Sequence, residues 1–208
     1  MNKNIEFKKI TQKELYGELL PIFSYIREIY DKGNVIIAID GGSGSGKTTL
    51  AELLKNEYDC NVIHMDDFFL RPEQRTSARL EEIGGNIDRE RFEAEVLTSL
   101  RKNETVCYCP FDCSTQMLGD TVTAEPKSIT VVEGVYSMHP AFSHYYDFAI
   151  FLDIDPAYQR ERILIRNSPA MAERFFDEWI PLENRYFEGA RIKERADYIF
   201  SITKSTDA

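Results

Sequence analysis

Long apolar runs are missing from this chain of 208 residues. A membrane-spanning helix needs about 20 consecutive apolar residues, and no segment comes near that length. The lysine-dotted beginning of the chain also lacks the apolar stretch of a signal peptide. These two absences lead us to expect a cytoplasmic protein with no membrane partner.

Positive charge is in short supply. The chain has 35 Asp and Glu against 25 Lys and Arg, which leaves a formal net charge of -10. Such a balance disfavours a general affinity for a polyanion such as DNA or RNA. We therefore expect no nucleic acid partner, although a local pocket can still bind a small phosphate.

Cysteine is scarce too, with four residues and no CxxC pair. Cys107, Cys109 and Cys113 lie close together in sequence, but no fourth ligand stands at the spacing of a zinc site. A chain of this size folds without disulfide bonds. Reduced thiols and no zinc are therefore expected.

Apolar residues are plentiful in short runs. Hydrophobic residues make up 43% of the chain, enough for the core of one domain covering residues 1–208. Runs typical of strands buried on both faces occur at 35–39, 61–65, 129–132, 148–152 and 198–202. The segments between them are long enough for crossover helices. The pattern predicts an α/β fold with a doubly wound, mainly parallel sheet flanked by helices.

Two further segments have patterns of their own. A capping-box spacing at Thr11 and Glu14 precedes apolar residues that recur at helical intervals. Residues 1–33 are thus predicted to be an N-terminal helical extension, whose role the sequence does not indicate. Farther along, residues 106–108 and 121–124 are predicted to form a small antiparallel excursion from the main sheet.

The most specific motif follows the first predicted strand. The sequence GGSGSGKT at residues 41–48 fits the phosphate-binding pattern GxxxxGK(S/T) and leads into a predicted helix at about 47–57. Glycine lets successive backbone N–H groups turn inward around phosphate oxygens. A flexible glycine-rich turn is the alternative, but strand, motif and helix occur here in register. We predict a nucleotide site made of Gly41, Gly42, Ser43, Gly44, Ser45, Gly46, Lys47, Thr48 and Thr49.

Two side chains of this motif have separate electrostatic tasks. Lys47 places a flexible ammonium group against the terminal phosphates. The hydroxyl of Thr48 suits Mg²⁺, which dehydrates reluctantly and binds phosphate oxygens as well. The expected cofactors are therefore ATP and Mg²⁺.

Acidic residues stand at the ends of two other predicted strands, where open α/β sheets bind their ligands. Asp66 and Asp67 follow the second strand, at the place where an acceptor hydroxyl would approach the γ-phosphate and a general base belongs. Glu133 follows the third strand and could hold Mg²⁺ directly or through water. Helix capping, solvation or backbone hydrogen bonding are the plainer roles for these carboxylates. Their position after buried strands favours the functional roles.

A nucleotide-dependent regulatory switch is the rival interpretation. Its guanine-reading NKxD and switch DxxG patterns are both absent from the sequence. Rapid phosphorylation of a small alcohol would exclude the switch, whereas slow hydrolysis with nucleotide-dependent partner binding would support it. A kinase is favoured.

A basic helix is predicted after the fourth strand. Asp155 and Pro156 are a typical helix start, with a capping carboxylate and proline at the first helical position. Arg162 and Arg166 lie four residues apart on one face, so they could stabilise charge that develops during phosphoryl transfer. A solvated basic face explains the spacing equally well. The functional interpretation is a lid over about residues 160–175.

Several segments in their order resemble the uridine kinase and phosphoribulokinase branch of P-loop kinases, from Val35 to Ile202. They are GGSGSGKT, MDDFF, NID at 86–88, PFD at 110–112, VVEG, RERILIRN and ADYIF. The resemblance implies ATP- and Mg²⁺-dependent phosphorylation of the primary hydroxyl of a nucleoside, a small-molecule substrate.

The resemblance also implies roles for single residues. Asp66 corresponds to the catalytic aspartate that accepts the proton of the nucleoside 5′-hydroxyl, and Asp88 to the carboxylate that binds the ribose diol. Glu133 corresponds to the magnesium-side glutamate, and Arg162 and Arg166 to lid arginines. The expected catalytic residues are thus Lys47, Asp66, Arg162 and Arg166, and the expected substrate-binding residues are Asp66, Phe69, Asp88, Phe111 and Gln116. The plainer role of Asp88 is to cap the helix that follows it.

Two departures concern the acceptor. Uridine kinases read the pyrimidine with a tyrosine and a histidine, where this chain has Phe111 and Gln116. Losing a hydroxyl and an imidazole removes hydrogen bonds that a buried base needs. The acceptor is therefore a nucleoside or another small alcohol, such as pantothenate, a sugar phosphate or a vitamin riboside. Trp179, His139 and His144 are interpreted as packing or hydrogen-bonding residues.

Overall fold

Runs of β-branched residues form the centre of the molecule, as parallel strands buried on both faces require. The computed structural model describes residues 3–7, 12–30 and 33–204. The strands are β1 Lys3–Phe7, β2 Val35–Gly41, β3 Cys60–His64, β4 Val106–Tyr108, β5 Phe111–Asp112, β6 Met117–Leu118, β7 Val122–Ala124, β8 Ile129–Glu133, β9 Phe148–Ile154 and β10 Tyr198–Lys204. Six of them form a parallel sheet in the spatial order β1-β10-β9-β2-β8-β3.

All five predicted buried strands are confirmed, as β2, β3, β8, β9 and β10. β1 was not predicted, because its sequence KNIEF has few apolar residues. A strand at the edge of a sheet does not need a continuous apolar run. β1 pairs with β10 in parallel, with Ile5 opposite Ile202.

The helices are α1 Gln12–Tyr30, α2 Lys47–Glu57, α3 Ser77–Glu81, α4 Arg89–Phe92, α5 Thr98–Arg101, α6 Pro156–Arg166, α7 Pro169–Arg174, α8 Ile180–Gly189 and α9 Ile192–Arg195. A π-helical turn, Glu93–Leu97, joins α4 to α5, and another, Phe175–Trp179, joins α7 to α8. Short 3-10 helices are Met65–Phe68, Pro72–Gln74 and Pro140–Tyr145. No helix in the described ranges has both the length and the apolar character that crossing a bilayer demands.

Alternation along β2 divides the core into two layers, because successive side chains of a strand face opposite sides. Ile36 and Ala38 face the layer that contains α4 and the 3-10 helix after β3. Ile37 and Ile39 face the layer covered by α1 and α2. Helices on both faces confirm the doubly wound arrangement.

The predicted N-terminal helix is present as α1 and belongs to the second layer. Its buried residues lie on one face and pack with α2 and β10; they are Leu19, Ile22, Ile26 and Ile29. Thr11 of the predicted capping box lies outside the described residues. The structure thus gives the extension a role that the sequence did not, which is to cover the sheet beside α2.

The small antiparallel excursion is confirmed. β4 pairs with β7, and Tyr108 stands opposite Val122. A second short pair, β5 with β6, continues the hairpin toward its tip. The excursion lies next to the segment after β3, which places it at one end of the sheet's carboxyl edge.

Candidate active site

The phosphate loop lies at the carboxyl end of β2, and α2 begins at Lys47. Gly41 has a φ of 146° and Gly46 a φ of 99°, in the left-handed range that glycine adopts without strain. A Cβ on Gly41 would stand 2.4 Å from the carbonyl oxygen of Leu152, so β9 approaches too closely for a side chain. These two positions explain why the turn requires glycine.

The side chain of Lys47 folds back over the phosphate loop. Its Nζ donates hydrogen bonds to the carbonyl oxygens of Gly41 at 2.8 Å and Gly42 at 3.1 Å. Burial raises the pKa of three carboxyl groups around it, those of Asp40, Asp66 and Glu183, and the charge of Lys47 opposes each rise. Lys47 is therefore the cation about which the acidic groups of the site are arranged.

Thr48 and Glu133 meet beside the loop. The Thr48 hydroxyl donates to Oε1 of the buried Glu133 at 3.1 Å. His64 Nδ1 lies 2.7 Å from the same oxygen, and this hydrogen bond raises the pKa of His64. A carboxylate and a hydroxyl suit Mg²⁺, so the two predicted ligands fit that ion. In residues 3–7, 12–30 and 33–204 no three His, Cys, Asp or Glu side chains form a metal site of their own.

The two aspartates after β3 differ in their surroundings. Asp67 accepts a hydrogen bond from the Tyr108 hydroxyl at 2.9 Å. Asp66 is exposed to solvent. The protein atoms crowded around it nevertheless raise its pKa; Glu133 adds to the rise and Lys47 opposes it. Of the two, Asp66 is the carboxylate accessible to an incoming hydroxyl.

Asp88 lies at the N-terminus of α4 and is buried. Its Oδ1 accepts from the backbone N–H of Arg91 at 3.2 Å, which is the capping role. Its Oδ2 accepts from the side-chain amide of Gln74 at 2.8 Å and lies 4.0 Å from Arg71 Nη2. Both oxygens already have protein partners, so a substrate diol would have to displace Gln74.

The other expected substrate contacts lie in different environments. Phe69 packs against the core, and Phe111 is buried on β5 with the guanidinium of Arg75 5.8 Å from its ring centroid. β5 lies against the 3-10 helix Met65–Phe68. Gln116 is exposed in the β5–β6 turn with a φ of 59°, and its amide donates to a carbonyl of that turn. The two phenylalanines thus lie beside the segment after β3, whereas Gln116 is turned toward its own hairpin.

α6 carries the predicted lid arginines and packs on the phosphate loop. Asp155 caps the helix as predicted. A Cβ on Gly44 would lie 3.8 Å from the Cβ of Arg162, so this residue adjoins the loop. Arg166 lies one turn farther, with its guanidinium 5.8 Å from the ring centroid of Phe175. Only Arg162 of the pair is next to the loop in this conformation.

An open cavity of about 60 Å³ adjoins the loop on the side of Arg162. The loop contributes Ser45, Gly46 and Thr49, and the rest of the wall is apolar: Leu19, Leu50, Leu53, Leu152, Phe200 and Ile202. Ser45 Oγ is buried there and has no hydrogen-bond partner among the described residues. Leu19 shows that α1 forms part of the surroundings of the nucleotide loop.

Sequence reasoning missed Asp40, which holds the start of the phosphate loop from the buried side. The residue is fully buried at the end of β2. Its Oδ1 accepts from the N–H of Gly41 at 2.7 Å, and its Oδ2 accepts from the N–H of Met138 and from the Tyr186 hydroxyl at 2.9 and 2.8 Å. Burial raises its pKa to about 6. A carboxylate inside an otherwise apolar strand was the signal that could have revealed it.

Sequence reasoning also missed Glu183 on α8. Its carboxylate is buried and accepts hydrogen bonds from the backbone N–H and the hydroxyl of Ser43. Gln159 on α6 donates to the carbonyl oxygen of the same serine at 2.9 Å. The only sequence signal was the pair Glu183 and Tyr186, three residues apart on one helix face.

The residues interpreted as structural have packing partners. His139 is buried and accepts from the N–H of Ala141 through Nδ1 at 3.2 Å, and burial lowers its pKa to about 4. Trp179 stacks edge-on with Phe175 at 4.5 Å between ring centroids. His144 packs on the ring of Tyr145 at 4.1 Å.

Comparison with known proteins finds similarity to uridine kinases. No protein-family model matches the chain. The chain is similar to the uridine kinase of Macrococcus caseolyticus, 29% identical over 181 residues that cover 79% of this chain and 86% of the relative. It is 25% identical to a uridine kinase of Clostridium perfringens over 184 residues, which cover 81% and 87%.

Solved structures share the fold. A possible uridine kinase from Bacillus stearothermophilus superposes with a TM-score of 0.68, 24% identity, and coverage of 90% of this chain and 99% of that one. A D-glycerate 3-kinase from Cryptococcus neoformans gives 0.65, 13% identity, and coverage of 92% and 94%. The curated relatives and the phosphate loop support a uridine kinase-like phosphotransferase that acts on an alcohol group, and the solved structures share its fold.

Proposed function

We propose that the chain is a single-domain kinase that transfers the γ-phosphoryl group of ATP, with Mg²⁺, to the primary hydroxyl of a nucleoside. The observation that carries the proposal is the exposed Asp66 carboxylate, which lies within electrostatic range of Lys47. A base and a cation on one side of a phosphate loop suit phosphoryl transfer to a hydroxyl. A regulatory switch has no need of such a base.

The donor site is formed by the loop residues 41–49. The N–H groups of Gly41, Ser43 and Ser45 already have protein acceptors, so the other backbone N–H groups of the loop and Lys47 would bind the β- and γ-phosphates. Arg162 would neutralise charge on the transferred group. The nucleoside end of the donor would extend past Thr49 toward the apolar cavity. Bound Mg²⁺, held by Thr48 with Glu133, would supply further charge neutralisation between the phosphates. Residues 160–175 form the lid in this proposal, and closure would bring Arg166 to the loop.

Asp66 is the general base in this mechanism. The acceptor oxygen forms a bond to the γ-phosphorus while the bond from that phosphorus to the bridging oxygen of ADP breaks. The hydroxyl proton passes to the Asp66 carboxylate. Its raised pKa makes the carboxylate a better proton acceptor than an ordinary aspartate.

The acceptor side favours a ring-bearing alcohol. The half-buried Phe69 and the buried Phe111 lie beside the segment that carries Asp66 and would give the acceptor apolar neighbours. The Asp88 carboxylate would bind a diol in place of Gln74. One observation favours the second candidate, a kinase of another small alcohol such as pantothenate, a sugar phosphate or a vitamin riboside. Phe111 carries no polar atom and the Gln116 amide is engaged in its own turn, so base-specific hydrogen bonds are lacking at both positions.

A panel of acceptors tests the proposal. The purified protein is mixed with Mg-ATP and, in turn, uridine, cytidine, adenosine, nicotinamide riboside, pantothenate or ribose 5-phosphate, and is scored for ADP release and product mass. We expect a nucleoside to gain one phosphoryl group. Asp66→Asn should slow product formation about 10²- to 10⁴-fold, whereas the matched control Asp67→Asn should retain most of the activity. No phosphorylated product with any acceptor, or full activity in Asp66→Asn, would contradict the proposal.

A further inference from the structure

Ser43, in the middle of the phosphate loop, has all of its polar groups bonded to residues outside the loop. Its N–H donates to Glu183 Oε2 at 2.9 Å, and its hydroxyl donates to the other oxygen of the same carboxylate. Its carbonyl oxygen accepts from Gln159 at 2.9 Å. Glu183 belongs to α8 and Gln159 to α6, so two helices hold one loop residue.

The contacts of Glu183 suit a residue that holds the phosphate loop in place and takes no part in the transfer reaction. The residue is only 3% exposed, and a buried carboxylate needs partners for both of its oxygens. Ser43 supplies them. Lys47 and Asp66 are close enough to affect its ionisation. The contact therefore lies near the cation and the carboxylate that are proposed to act in the transfer.

α8 makes a second contact at the start of the phosphate loop, through Tyr186. Tyr186 follows Glu183 by three residues and shares its helix face. Its hydroxyl donates to the buried Asp40 at 2.8 Å. The two contacts stand on either side of Gly41 and Gly42, so α8 fixes both flanks of the first turn of the loop.

We propose that Glu183 is a positioning residue for phosphoryl transfer, which acts by fixing Ser43 and the turn of the loop that faces the γ-phosphate. Gln159 completes the arrangement from α6. In sequence the lid segment 160–175 lies between Gln159 and Glu183, so helical residues before and after it are connected to Ser43. The inference rests on the proposed function, because it assumes that the loop binds the donor for transfer.

Three variants separate this role from its alternatives. In Glu183→Gln the amide oxygen can accept from the Ser43 N–H while the amide nitrogen donates to the Ser43 hydroxyl, so both hydrogen bonds persist without the charge. We expect this variant to retain kcat within about threefold, and Glu183→Ala to lose about 10- to 100-fold in kcat with little change in the acceptor KM. Glu188→Gln, an exposed carboxylate on the same helix, is the matched control and should behave as the wild type.

Two kinetic outcomes would overturn the proposal. If Glu183→Gln fell as far as Glu183→Ala, the carboxylate would act through its charge and not through its hydrogen bonds. If Glu183→Ala kept kcat and lost only melting temperature, the contact would serve stability alone. Should Glu183→Ala fail to fold, Ser43→Ala removes the hydroxyl contact and keeps the N–H contact; a loss of about 3- to 10-fold in kcat is then expected, and an unchanged kcat would refute the role.

Calorimetry of Mg-ATP binding needs no acceptor and so separates this inference from the proposed function. Glu183→Ala should weaken binding about 10-fold and Glu183→Gln by less than about twofold. Wild-type protein that binds Mg-ATP but phosphorylates no acceptor would count against the proposed function, and the binding comparison would still test Glu183. Equal Mg-ATP affinities in the wild type and Glu183→Ala would overturn the positioning role.

Discussion

Asp40 gives the most quantitative prediction, because its environment sets the direction and size of a pH effect on stability. Burial raises its pKa from 3.8 to about 6, while Lys47, Tyr186 and two backbone N–H groups oppose the rise. The folded chain thus binds this proton more tightly than the unfolded chain. The contribution of Asp40 to the free energy of unfolding is therefore fully present below about pH 4 and is lost as the pH rises through about 6.

The magnitude follows from the shift. Two pKa units correspond to about 3 kcal/mol. The variant Asp40→Asn lacks this titration, so the difference in unfolding free energy, wild type minus variant, should fall by about 3 kcal/mol between about pH 4 and pH 6 and stay level above it. Tyr146 and Tyr136 also face Asp40 but titrate far above this range.

Denaturant unfolding curves of both proteins at several pH values provide the assay. Other titrating groups are common to the two proteins and largely cancel in the difference. If this difference in unfolding free energy stayed flat or rose between about pH 4 and pH 6, the prediction would be wrong, because burial would then not oppose the ionisation of Asp40. The ionised Asp40 carboxylate thus lowers the stability of the chain at neutral pH while it orders the phosphate loop.

Three further predictions concern the site and the core. Asp66→Asn should lower kcat about 10²- to 10⁴-fold and leave the Mg-ATP dissociation constant unchanged within about threefold, as measured by steady-state kinetics and calorimetry; a tenfold loss of ATP affinity with little change in kcat would reverse the assignment. Arg162→Ala should weaken Mg-ATP binding about 10-fold because this residue adjoins the loop, and Arg166→Ala should weaken it less; the opposite order would contradict the arrangement. Ile26→Ala, at a fully buried position of α1, should lower the free energy of unfolding by about 2–5 kcal/mol. Its control Leu20→Ala, 59% exposed, should change it by less than about 0.5 kcal/mol, and equal small effects would mean that α1 is not part of the core.

The sheet was predictable because its strands are buried on both faces. Parallel strands such as β2 and β8 need continuous β-branched runs, and such runs are visible in the sequence. β1 was not predicted, because a strand at the edge of a sheet needs few apolar residues and leaves no such run in the sequence. The placement of α1 beside α2 could not be predicted either, because an amphipathic pattern reveals a buried face but not the surface that covers it.

The positions of the candidate site residues were predictable where they belong to a local motif. The phosphate-loop residues, the aspartates after β3 and Glu133 at the end of β8 stand at fixed offsets along their strands, so the carboxyl edge of the sheet brings them together. Glu183 and Gln159 act on the loop from 140 and 116 residues away in sequence. Such contacts depend on how α6 and α8 pack and leave no pattern in the sequence near Ser43. Gln116 shows the same limit, because its side chain direction depends on the conformation of a hairpin turn.

The proposed function requires that residues 41–48 bind the polyphosphate of a nucleotide, with Lys47 as the principal cation. Isothermal titration calorimetry of Mg-ATP into the wild type and into Lys47→Ala measures this binding. We expect one bound nucleotide per wild-type chain and an affinity at least about 10-fold weaker in Lys47→Ala. Absence of Mg-ATP binding by the wild type, or equal affinities in the two proteins, would contradict it.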